Sequence, residues 1–556
     1  NLRAVECRLA FALARAAHLR ENRCRVEASM NTNRWLRTVV SVAALGLTVG
    51  CASLPQPPAT RVAAHSEPPD PATALGRQMI ERPAGGSDTA SGFVVVDTGW
   101  DALAWRCAMA DRAERSLDMQ YYIWNPDDAG ILFADRLLKA ADRGVRIRIL
   151  LDDMAIRMRT KRLASLDAHS NIEIRVYNPV GNAYEDMAQR GLNIAGAPKL
   201  ANRRMHNKLF VADSAVAITG GRNIGNEYFD LSDDFNFLDR DVVAVGPVVT
   251  NLHATFDTFW NSSWVVEFAR VARYTPSSNR VARYAHSIHQ HAEKSAQVLP
   301  DFEPRVAVEA ARLTNLWSEC HLGYARVVCD DPGKNEQPDS MSGFGISGRV
   351  LTECALAAQR ELVVQSAYNL AMPGTMDLLR ALRRRGVKVR LLANSSNSID
   401  APFVFAKYAP QRIEFLELGV ELFEFRPEGV LWRHRVASRA PGEENVPVGL
   451  HAKTVVFDAR TTYIGSFNMD PRSTHLNTEL GLLIDCPALA EEVRATILRD
   501  CAPETSWRVV QAGDGALNWV GTDRGKSRTW KREPRVSWGL RMKLFFFRIL
   551  PVKSIL

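Results

Sequence analysis

The sequence predicts an α/β fold built from two homologous domains, and three observations support this prediction. One pattern of eighteen residues occurs twice, as "HNKLFVADSAVAITGGRN" from His206 and as "HAKTVVFDARTTYIGSFN" from His451. The His, Lys, Asp, Gly and Asn that the copies share are each 245 positions apart. Segments with helical and strand-like patterns alternate before both copies. A constant separation over such a distance indicates a duplicated domain.

The segments before each copy follow one another in the same order. Before the first they read as helix, strand, helix and strand: "DALAWRCAMADRAERS", "LDMQYYIW", "AGILFADRLLKAADRG" and "VRIRILLDD". Before the second they read likewise: "ISGRVLTECALAAQR", "ELVVQSAY", "PGTMDLLRALRRRG" and "VKVRLLAN". This alternation predicts parallel strands covered by helices.

The chain divides into seven predicted segments. These are an upstream stretch outside the natural reading frame (1–29), a signal peptide (30–50), a flexible tether (51–90), a first domain (91–265), a poorly patterned connector (266–340), a second domain (341–515) and a basic, aromatic tail (516–556). The first boundary follows from the first methionine, Met30. The tether is rich in Pro, Ala, Ser and Gly.

The stretch from Met30 predicts an envelope protein. Two arginines, an apolar run and then Gly50 and Cys51 form the layout of a secretory signal peptide. The ending resembles a bacterial lipobox, with Leu47 one place early, so Cys51 is expected to be the lipidated first residue. Without Asp at position 52, we expect a lipid-anchored, periplasm-facing protein of the outer membrane. The alternative is a short transmembrane anchor, although the run is shorter than the ~20 residues of a span.

Positive charge is concentrated in the tail. Ten Lys or Arg and one acid lie between Arg524 and Leu556, so this stretch carries a charge of +9. The net charge of the whole chain is +8, so the rest of the chain carries about −1. Together with Trp530, Trp538 and the Phe545 to Phe547 run, this composition suits the interface of an anionic bilayer. The alternative is that the aromatic residues pack on the body of the protein.

The cysteines allow either disulfides or buried thiols. Cys320 with Cys329, and Cys486 with Cys501, are the local candidates for bridges in an oxidising compartment. No CxxC pair occurs, so no zinc site is predicted. "HSIHQH", which begins at His286, is interpreted as a solvated face rather than a metal cluster.

In each copy of the repeated pattern, His and Lys are separated by one residue within an apolar run. On a strand their side chains point to the same face, so His206 with Lys208, and His451 with Lys453, can contact one ligand. Asp213 and Asp458 fall where each strand ends, and we assign them a mainly structural role in a turn.

Small residues and an amide follow the return strand of each copy. The residues are Gly220, Gly221 and Asn223 in the first copy, and Gly465, Ser466 and Asn468 in the second. Small residues allow a ligand to approach the backbone closely, and an Asn amide can bind oxygen atoms. We expect these residues to bind or support a phosphate.

This set of residues suits a phosphodiester substrate. A neutral imidazole can attack phosphorus and form a phosphohistidine, while a second histidine protonates the departing alcohol and later deprotonates the incoming one. Lys and Asn can stabilise the charge on the phosphate oxygens. The chemistry therefore requires neither a metal nor a cofactor.

Each histidine also needs an acid that fixes its tautomer. The candidates are Asp239 in "FLDRDVVAVGP", with Asp241 as its rival, and Glu479 in "LNTELGLLIDCP". Because each half supplies one His-Lys pair, the halves are expected to pack about a pseudo-two-fold axis with one active site at their interface. Asp152 and Asp153 are interpreted as turn residues, and Arg472 and Ser473 either support or contact the phosphate.

The duplicated HxKxxxxD pattern, followed by GG or GS and then Asn, resembles the phospholipase D superfamily over about residues 91–515. "SLDMQYYIWNPDDAG" and "GSFNMDPRSTHLNTELG" resemble its bacterial cardiolipin synthase-like branch. The resemblance implies two α/β sandwich domains and a phosphatidyltransferase, with His206 as nucleophile and His451 as general acid, or the reverse. One departure is Phe405, which stands where this branch has a histidine and bears on head-group recognition.

The function implied by this resemblance is the formation of cardiolipin from phosphatidylglycerol and a second phospholipid, such as phosphatidylethanolamine. A hydrolytic phospholipase D would use the same residues with water as acceptor. A nuclease would favour a basic cleft, whereas the body carries about −1, so no nucleic-acid partner is expected. Two complete His-Lys-Asn sets disfavour a non-catalytic lipid-binding protein. No small accessory protein is identifiable from the sequence.

Overall fold

Every element given below belongs to the larger of two compact units of the chain. The computed structural model describes residues 63–80, 89–155, 160–181, 191, 193–194, 198–334, 345–372, 374–428 and 446–549. The larger unit comprises residues 55–184 and 199–556, and the smaller comprises 1–54 and 185–198. The upstream stretch 1–29, the signal peptide 30–50 and Cys51 lie outside the described residues.

The first domain contains a mixed sheet. The strands of this half are β1 (Ser91–Val96), β2 (Ser116–Tyr121), β3 (Arg146–Asp152), β4 (Ile172–Tyr177), β5 (Leu209–Ala212), β6 (Val216–Gly220), β7 (Asn236–Leu238), β8 (Asp241–Val245) and β9 (Val265–Glu267). The sheet has the order β9, β4, β3, β2, β5, β6, β8, β1. Strands β2, β3 and β4 are parallel as predicted, and the other neighbours are antiparallel. The motif strands β5 and β6 are joined by a tight turn, which can connect only antiparallel strands.

Helices cover both faces of this sheet. They are α1 (Ala74–Ile80), α2 (Gly99–Arg112), α3 (Asp128–Asp142), α4 (Thr160–Asp167), α5 (Pro247–Trp260), α6 (Phe268–Ala272), α7 (Ser278–Val298), α8 (Phe302–Thr314) and α9 (Leu316–Glu319). Thr98 and Asp127 cap the N-termini of α2 and α3. Phe210 on β5 packs in the same core as α2 and α3, whereas its neighbour Leu209 packs with α5. Alternate side chains of one strand therefore serve two cores, which defines a sandwich.

The second domain repeats this design. Its strands are β10 (His321–Cys329), β11 (Glu361–Ser366), β12 (Lys388–Asn394), β13 (Glu421–Phe425), β14 (Val448–Leu450), β15 (Lys453–Phe457), β16 (Thr461–Gly465), β17 (Leu480–Asp485), β18 (Ser506–Gln511), β19 (Leu517–Asp523) and β20 (Lys526–Trp530). The sheet order is β10, β17, β16, β15, β11, β12, β13, β18, β19, β20. Its helices are α10 (Gly345–Ala357), α11 (Thr375–Arg384), α12 (Pro402–Tyr408), α13 (Arg412–Glu417), α14 (Pro471–His475), α15 (Pro487–Asp500) and α16 (Trp538–Ile549).

The two domains are joined by strand pairing and by a shared core. Strand β1 pairs antiparallel with the start of β10, and β7 pairs in parallel with β14. One buried cluster contains Leu252 and Phe256 of α5 together with Leu489 and Val493 of α15. The predicted fold class, two homologous α/β sandwich domains, is confirmed. None of the helices in the described part of the chain combines the length and apolar character needed to cross a membrane.

Three segments differ from their sequence-based description. Within the predicted tether, residues 63–80 include α1, and Ser66 hydrogen-bonds to Asp257 of the first domain. The connector is helical where α7 packs on α3 and α8 packs on α2. The expected tail begins inside the second sheet, because β19 and β20 extend it to Trp530. In each case, contacts with distant residues order a stretch whose local pattern is weak.

The two local candidates for disulfides do not form. The cysteines of the described residues are free thiols, which is the alternative that the sequence left open. Cys320 and Cys329 lie at opposite ends of β10, which places them roughly 30 Å apart along the strand. Cys486 and Cys501 flank α15, a helix roughly 21 Å long. A disulfide needs Cα atoms within about 7 Å, so an extended element between the two cysteines excludes the bond.

Candidate active site

The two His-Lys pairs occupy equivalent places at the start of the motif strands. His206 and Lys208 directly precede β5, and His451 precedes Lys453, the first residue of β15. All four side chains are buried. The ammonium of Lys208 donates a 2.6 Å hydrogen bond to the carbonyl of His206, and Lys453 makes the same bond to His451. The one-residue spacing thus places both functional groups on one face, as predicted.

Each histidine is bound by an acid from the other domain. The Nδ1 atom of His206 lies 2.8 Å from Glu479 Oε2, and Nδ1 of His451 lies 2.6 Å from Asp239 Oδ2. A bond from Nδ1 to a carboxylate fixes the tautomer and leaves Nε2 of each ring for chemistry. The structure therefore places both proposed orienting acids on histidines, but in crossed pairs that the spacing of the sequence does not reveal.

The backbone at each histidine is also held, by a carbonyl of the other domain and by a side chain of its own domain. The amide of His206 donates to the carbonyl of Thr478 at 3.0 Å, and the amide of His451 donates to Leu238 at 2.7 Å. One residue earlier, Met205 N donates to Asp152 at 2.8 Å. The equivalent bond in the second domain runs from Leu450 N to Asn394 at 2.8 Å. Asp152, interpreted from sequence as a turn residue, thus also positions the chain before His206.

The small residues after each return strand contact the orienting acids. A Cβ atom on Gly221 would lie 2.1 Å from Asp239 Oδ1, so a larger residue would displace this carboxylate. At the equivalent place in the second domain, the Ser466 hydroxyl hydrogen-bonds to Glu479. Gly220 (φ 158°) packs against Arg240 and Asp241, and Gly465 packs against Leu480 and Gly481. Gly221 and Ser466 therefore contact the orienting acids directly, whereas Gly220 and Gly465 allow close packing next to them.

The two asparagines flank the same site but differ in their contacts. The Asn223 side-chain oxygen accepts from Ile123 N at 3.3 Å, and its side chain also hydrogen-bonds to Tyr228. Asn468 is buried, and its side-chain oxygen has no hydrogen-bond partner among the residues that the structure describes. A buried amide with unused capacity can bind a polar ligand.

Asp213 and Asp458 occupy turns behind the site. Asp213 accepts hydrogen bonds from the amides of residues 114, 115 and 116, and Asp458 accepts from those of residues 359, 360 and 361. Both residues have a left-handed backbone, with φ of 49° and 54°. Each carboxylate ties its motif turn to the start of the neighbouring strand, a structural role that the sequence pattern predicts.

Burial lowers the pKa of both histidines. For His206 the positive charges of Lys208 and Lys453 add to burial, so its pKa lies well below the ordinary value. For His451 burial and Lys453 lower the pKa, although Asp239 opposes them. Burial also lowers the pKa of Lys208 to about 7. Without a ligand, the site therefore favours the neutral forms of the two histidines and of Lys208. A bound anion would favour their protonated forms.

The two orienting acids differ in charge. Burial raises the pKa of Glu479 to about 7, against the opposing effects of Lys208 and the Ser466 hydroxyl. Burial also acts to raise the pKa of Asp239, but the charges of His451 and Lys453 outweigh it, and the pKa lies well below the usual value. At neutral pH, Asp239 is ionised beside His451, whereas Glu479 is about half ionised beside His206.

Aromatic rings around the histidines were not identified from the sequence. Tyr122 lies edge-on to His206 at 5.2 Å between ring centroids. Tyr228 and Phe237 lie at 5.3 Å and 4.8 Å from His451. In an apolar stretch such as "LDMQYYIW", a ring beside a catalytic group has the same local pattern as a ring in a core, so the sequence carries no distinguishing signal.

The remaining candidates have structural partners. Asp241, the rival of Asp239, pairs with Arg106 at 2.9 Å in the first domain. The backbone N–H of Ser473 donates to Asp470 at 2.8 Å, and the Ser473 hydroxyl accepts from the backbone N–H of Asn468. These bonds hold the loop from Ser466 to Ser473, which we call the phosphate loop. Arg472 is near enough to His206 for its charge to lower that pKa. Phe405 is buried in the core of the second domain.

The histidine-rich segment packs on the first domain. His289 pairs with Asp135, and His291 lies 2.8 Å from Asp128, both on α3. Across the part of the chain that the structure describes, no group of three or more His, Cys, Asp or Glu side chains is arranged to hold a metal ion.

Comparisons with known proteins bear on the family and the fold of this chain. A family model described as "cardiolipin synthase, PLD-like domain" matches residues 107–260 and 351–501. Cardiolipin synthase C of Escherichia coli K12 is 33% identical over 84% of this chain and 96% of its own length. An uncharacterised protein of Helicobacter pylori J99 is 30% identical over 84% of this chain and 89% of its own. The crystal structure of phosphatidylserine synthase from Haemophilus influenzae shares the fold, with a TM-score of 0.52 and 13% identity over 85% of this chain and 96% of that one.

Proposed function

This chain belongs to the cardiolipin synthase family with PLD-like domains, and we propose that it is a phosphatidyltransferase that forms cardiolipin from phosphatidylglycerol and a second phospholipid. The observation that carries the proposal is the pair of buried histidines, each bound at Nδ1 by an acid of the opposite domain. Two oriented imidazoles in one buried site are what a two-step transfer at phosphorus needs.

In the first step, Nε2 of neutral His206 attacks the phosphorus of phosphatidylglycerol. The bond from phosphorus to the glycerol head group breaks, and the departing oxygen takes a proton from Nε2 of His451, which the bound phosphate anion and Asp239 stabilise as the imidazolium. The low pKa of His206 supports its role as nucleophile, because the ring is unprotonated at neutral pH. The ionised Asp239 supports His451 as the acid, because a negative charge at Nδ1 stabilises the imidazolium.

In the second step, a hydroxyl of another phosphatidylglycerol gives its proton to His451. Its oxygen attacks phosphorus, the bond from phosphorus to His206 breaks, and cardiolipin leaves. If phosphatidylethanolamine is the donor, ethanolamine departs in the first step and phosphatidylglycerol remains the acceptor. We assign the binding of the phosphate oxygens, whose charge must be held in both transition states, to Lys208, Lys453 and Asn468. Their burial and the side-chain oxygen of Asn468, which is unpartnered among the described residues, support this assignment.

The test is a lipid-product assay by mass spectrometry on the protein in membranes that contain phosphatidylglycerol, with and without phosphatidylethanolamine. We expect cardiolipin and one released head group per turnover, and no product with His206→Ala. His321→Ala is the matched control, because His321 is a partly exposed histidine paired with Glu492. Phosphatidic acid without cardiolipin would indicate a hydrolase, and the absence of lipid products with wild-type protein would contradict the proposal.

We also propose that α16 contacts an anionic membrane. Trp538, Phe545 and Phe546 are 78%, 55% and 59% exposed. Arg541, Lys543 and Arg548 are exposed on the same helix. Exposed aromatic rings beside cations suit the interface of an anionic bilayer. The active site would then receive lipids directly from the surface on which the protein rests.

Vesicle flotation tests this membrane contact. We expect binding to vesicles with phosphatidylglycerol, weaker binding to neutral vesicles, and a loss of at least about tenfold in Phe545→Ser with Phe546→Ser. Leu356→Ser is the control, because Leu356 is 47% exposed on α10. Equal binding of both variants would contradict this role for α16.

We propose an envelope location with a lipid anchor on Cys51. The proposal rests on the sequence pattern at Gly50 and Cys51. Mass spectrometry of the mature N-terminus from bacterial membranes tests it, with diacylglycerol on Cys51 as the expected result. An unmodified Cys51 in the mature protein would contradict it.

A further inference from the structure

The second domain contains an apolar cavity of about 160 Å³ between α10, α11 and the sheet. Leu351, Leu379, Val455 and Phe457 contribute to its walls, and none of the described residues that line it is charged. An apolar cavity of ~150 Å³ in another protein binds benzene. The space is therefore sufficient for roughly six carbon atoms, and its lining excludes an anion or a head group.

The cavity lies directly behind the phosphate loop. Phe467 and Met469 line the cavity and flank Asn468 in the sequence. Asn369, which also lines it, pairs with Met469 through a parallel bridge. One short segment of chain thus separates the apolar cavity from the residues that surround the histidines.

The partly exposed side of the cavity is reached by a loop that begins at the active site. Strand β11 ends at Ser366, which is the strand partner of Lys453. The chain then continues through Leu370, Met372 and Thr375, which line the cavity and keep part of their surface exposed. The same short stretch of chain thus has one end beside Lys453 and its other end at the cavity.

The pseudo-symmetry of the chain shows which side chains create the space. Trp124, Phe133 and Phe210 are buried in the first domain. The ring centroid of Phe133 lies 6.1 Å from that of Trp124 and 5.3 Å from that of Phe210. The equivalent residues of the second domain are Asn369 and Val455, 245 positions later, and Thr375, 242 positions after Phe133. The offset is 242 there because β12 begins 242 positions after β3, and all three residues line the cavity. Three aromatic rings in one domain thus correspond to three smaller side chains in the other. An unfilled cavity destabilises a domain, so a ligand that fills it would recover that loss.

We propose that this cavity binds the terminal part of a fatty acyl chain of the phospholipid substrate, an inference that rests on the proposed phosphatidyltransferase function. The apolar lining matches the chemistry of methylene groups, and the adjacent phosphate loop matches the position of a substrate. The cavity then selects substrates by chain length: a chain long enough to reach it gains binding that a short chain lacks.

The test fills the cavity with larger side chains. Val455→Phe restores the ring that Phe210 supplies in the first domain, and Leu378→Phe enlarges a second residue of the lining. Leu356→Phe is the control because Leu356 is exposed on α10 outside the lining. Thermal unfolding of each variant establishes that it folds. Transfer rates are then measured in mixed micelles for phosphatidylglycerol with chains of six and of eighteen carbons, and for a soluble phosphodiester without acyl chains.

We expect the ratio of kcat/KM for long over short chains to fall at least about tenfold in the filled variants, while turnover of the soluble phosphodiester and the Leu356→Phe control stay unchanged. An unchanged ratio in a folded, filled variant would overturn the proposal. Because the two variants fill the cavity from different walls, the proposal remains testable if one variant fails to fold.

A binding arm separates this inference from the proposed function. If wild-type protein transfers no phospholipid, the proposed function fails, and binding of a fluorescent acyl lysophospholipid decides the inference. Binding that Leu378→Phe weakens at least about tenfold would support the cavity as an acyl site, and equal binding would overturn it. If free decanoate binds in the cavity while the chain-length ratio does not respond to filling, the occupant is a free fatty acid, which overturns the substrate assignment.

Discussion

The Nδ1 atom of His206 lies 2.8 Å from Oε2 of Glu479, although 273 positions separate the two residues. His451 and Asp239 make the reciprocal contact at 2.6 Å across 212 positions. Each domain therefore supplies the acid that orients the histidine of the other. Neither domain alone contains an oriented histidine, so the chemistry depends on the docked pair.

The roles of the two histidines predict different responses to removal. His206→Ala should lose at least about 10³-fold in rate with every donor, because no phosphohistidine can form. His451→Ala should still release one equivalent of p-nitrophenol from phosphatidyl-p-nitrophenol, because that leaving group needs no proton. Rapid-quench kinetics and mass spectrometry of residue 206 measure this burst. A burst in His206→Ala and none in His451→Ala would reverse the roles.

Glu479 predicts a pH-dependent change in stability. Burial raises its folded pKa to about 7, above the ordinary value of 4.5, so the folded state binds the proton more tightly. Stability is then lost as pH rises from about 4.5 to 7, by up to about 3 kcal/mol. Glu479→Gln removes this loss, so its gain in free energy of unfolding over wild type should be larger at pH 8 than at pH 5.

Denaturant unfolding of Glu479→Gln at the two pH values measures this difference. Glu492→Gln, which changes an exposed acid, is the control and should show little pH dependence. A gain for Glu479→Gln that is equal at both pH values would contradict the proposed ionisation. Activity should nevertheless fall at least about 100-fold, because the amide no longer stabilises the positive charge that the His206 ring gains when it bonds to phosphorus.

Gly221 predicts a steric effect on the opposite domain's histidine. Gly221→Ala places a Cβ atom 2.1 Å from Asp239 Oδ1, so the carboxylate must move away from His451. We expect kcat to fall at least about tenfold with a smaller change in KM. Gly513→Ala is the control, because nothing lies within 4 Å of a Cβ atom added at Gly513. Steady-state kinetics of both variants test this, and unchanged kcat in Gly221→Ala would contradict it.

Asp213 predicts a loss of stability without a loss of chemistry. Asp213→Ala leaves three backbone amides without their acceptor and places Ala in a left-handed conformation, so about 2–4 kcal/mol of stability should be lost. Asp213→Asn keeps an acceptor and tolerates this backbone, so its loss should be smaller. Denaturant unfolding and kcat per folded molecule measure both effects. A loss of kcat above about tenfold in folded Asp213→Ala would assign Asp213 a direct part in catalysis.

The sequence alone predicts the duplicated fold and most of the site. The 245-residue separation of His206 from His451, and of Lys208 from Lys453, indicates the duplication. Strand geometry then places His and Lys on one face. These features depend on local spacing, which folding cannot change. The structural role of Asp213 in a turn follows from the same kind of local reasoning, but its amide donors, on residues 114, 115 and 116, do not.

Tertiary structure decides which residues that are distant in the chain contact one another. Asp239 and Asp241 differ by two positions, yet one binds His451 across the interface and the other pairs with Arg106 inside its own domain. The cysteine pairs are separated by an extended strand and a helix, so nearness in sequence does not become nearness in space. The cavity arises because Asn369, Leu378 and Val455 meet in three dimensions. Local pattern determines which face a side chain occupies, but only the docking of sheets and helices determines what lies opposite.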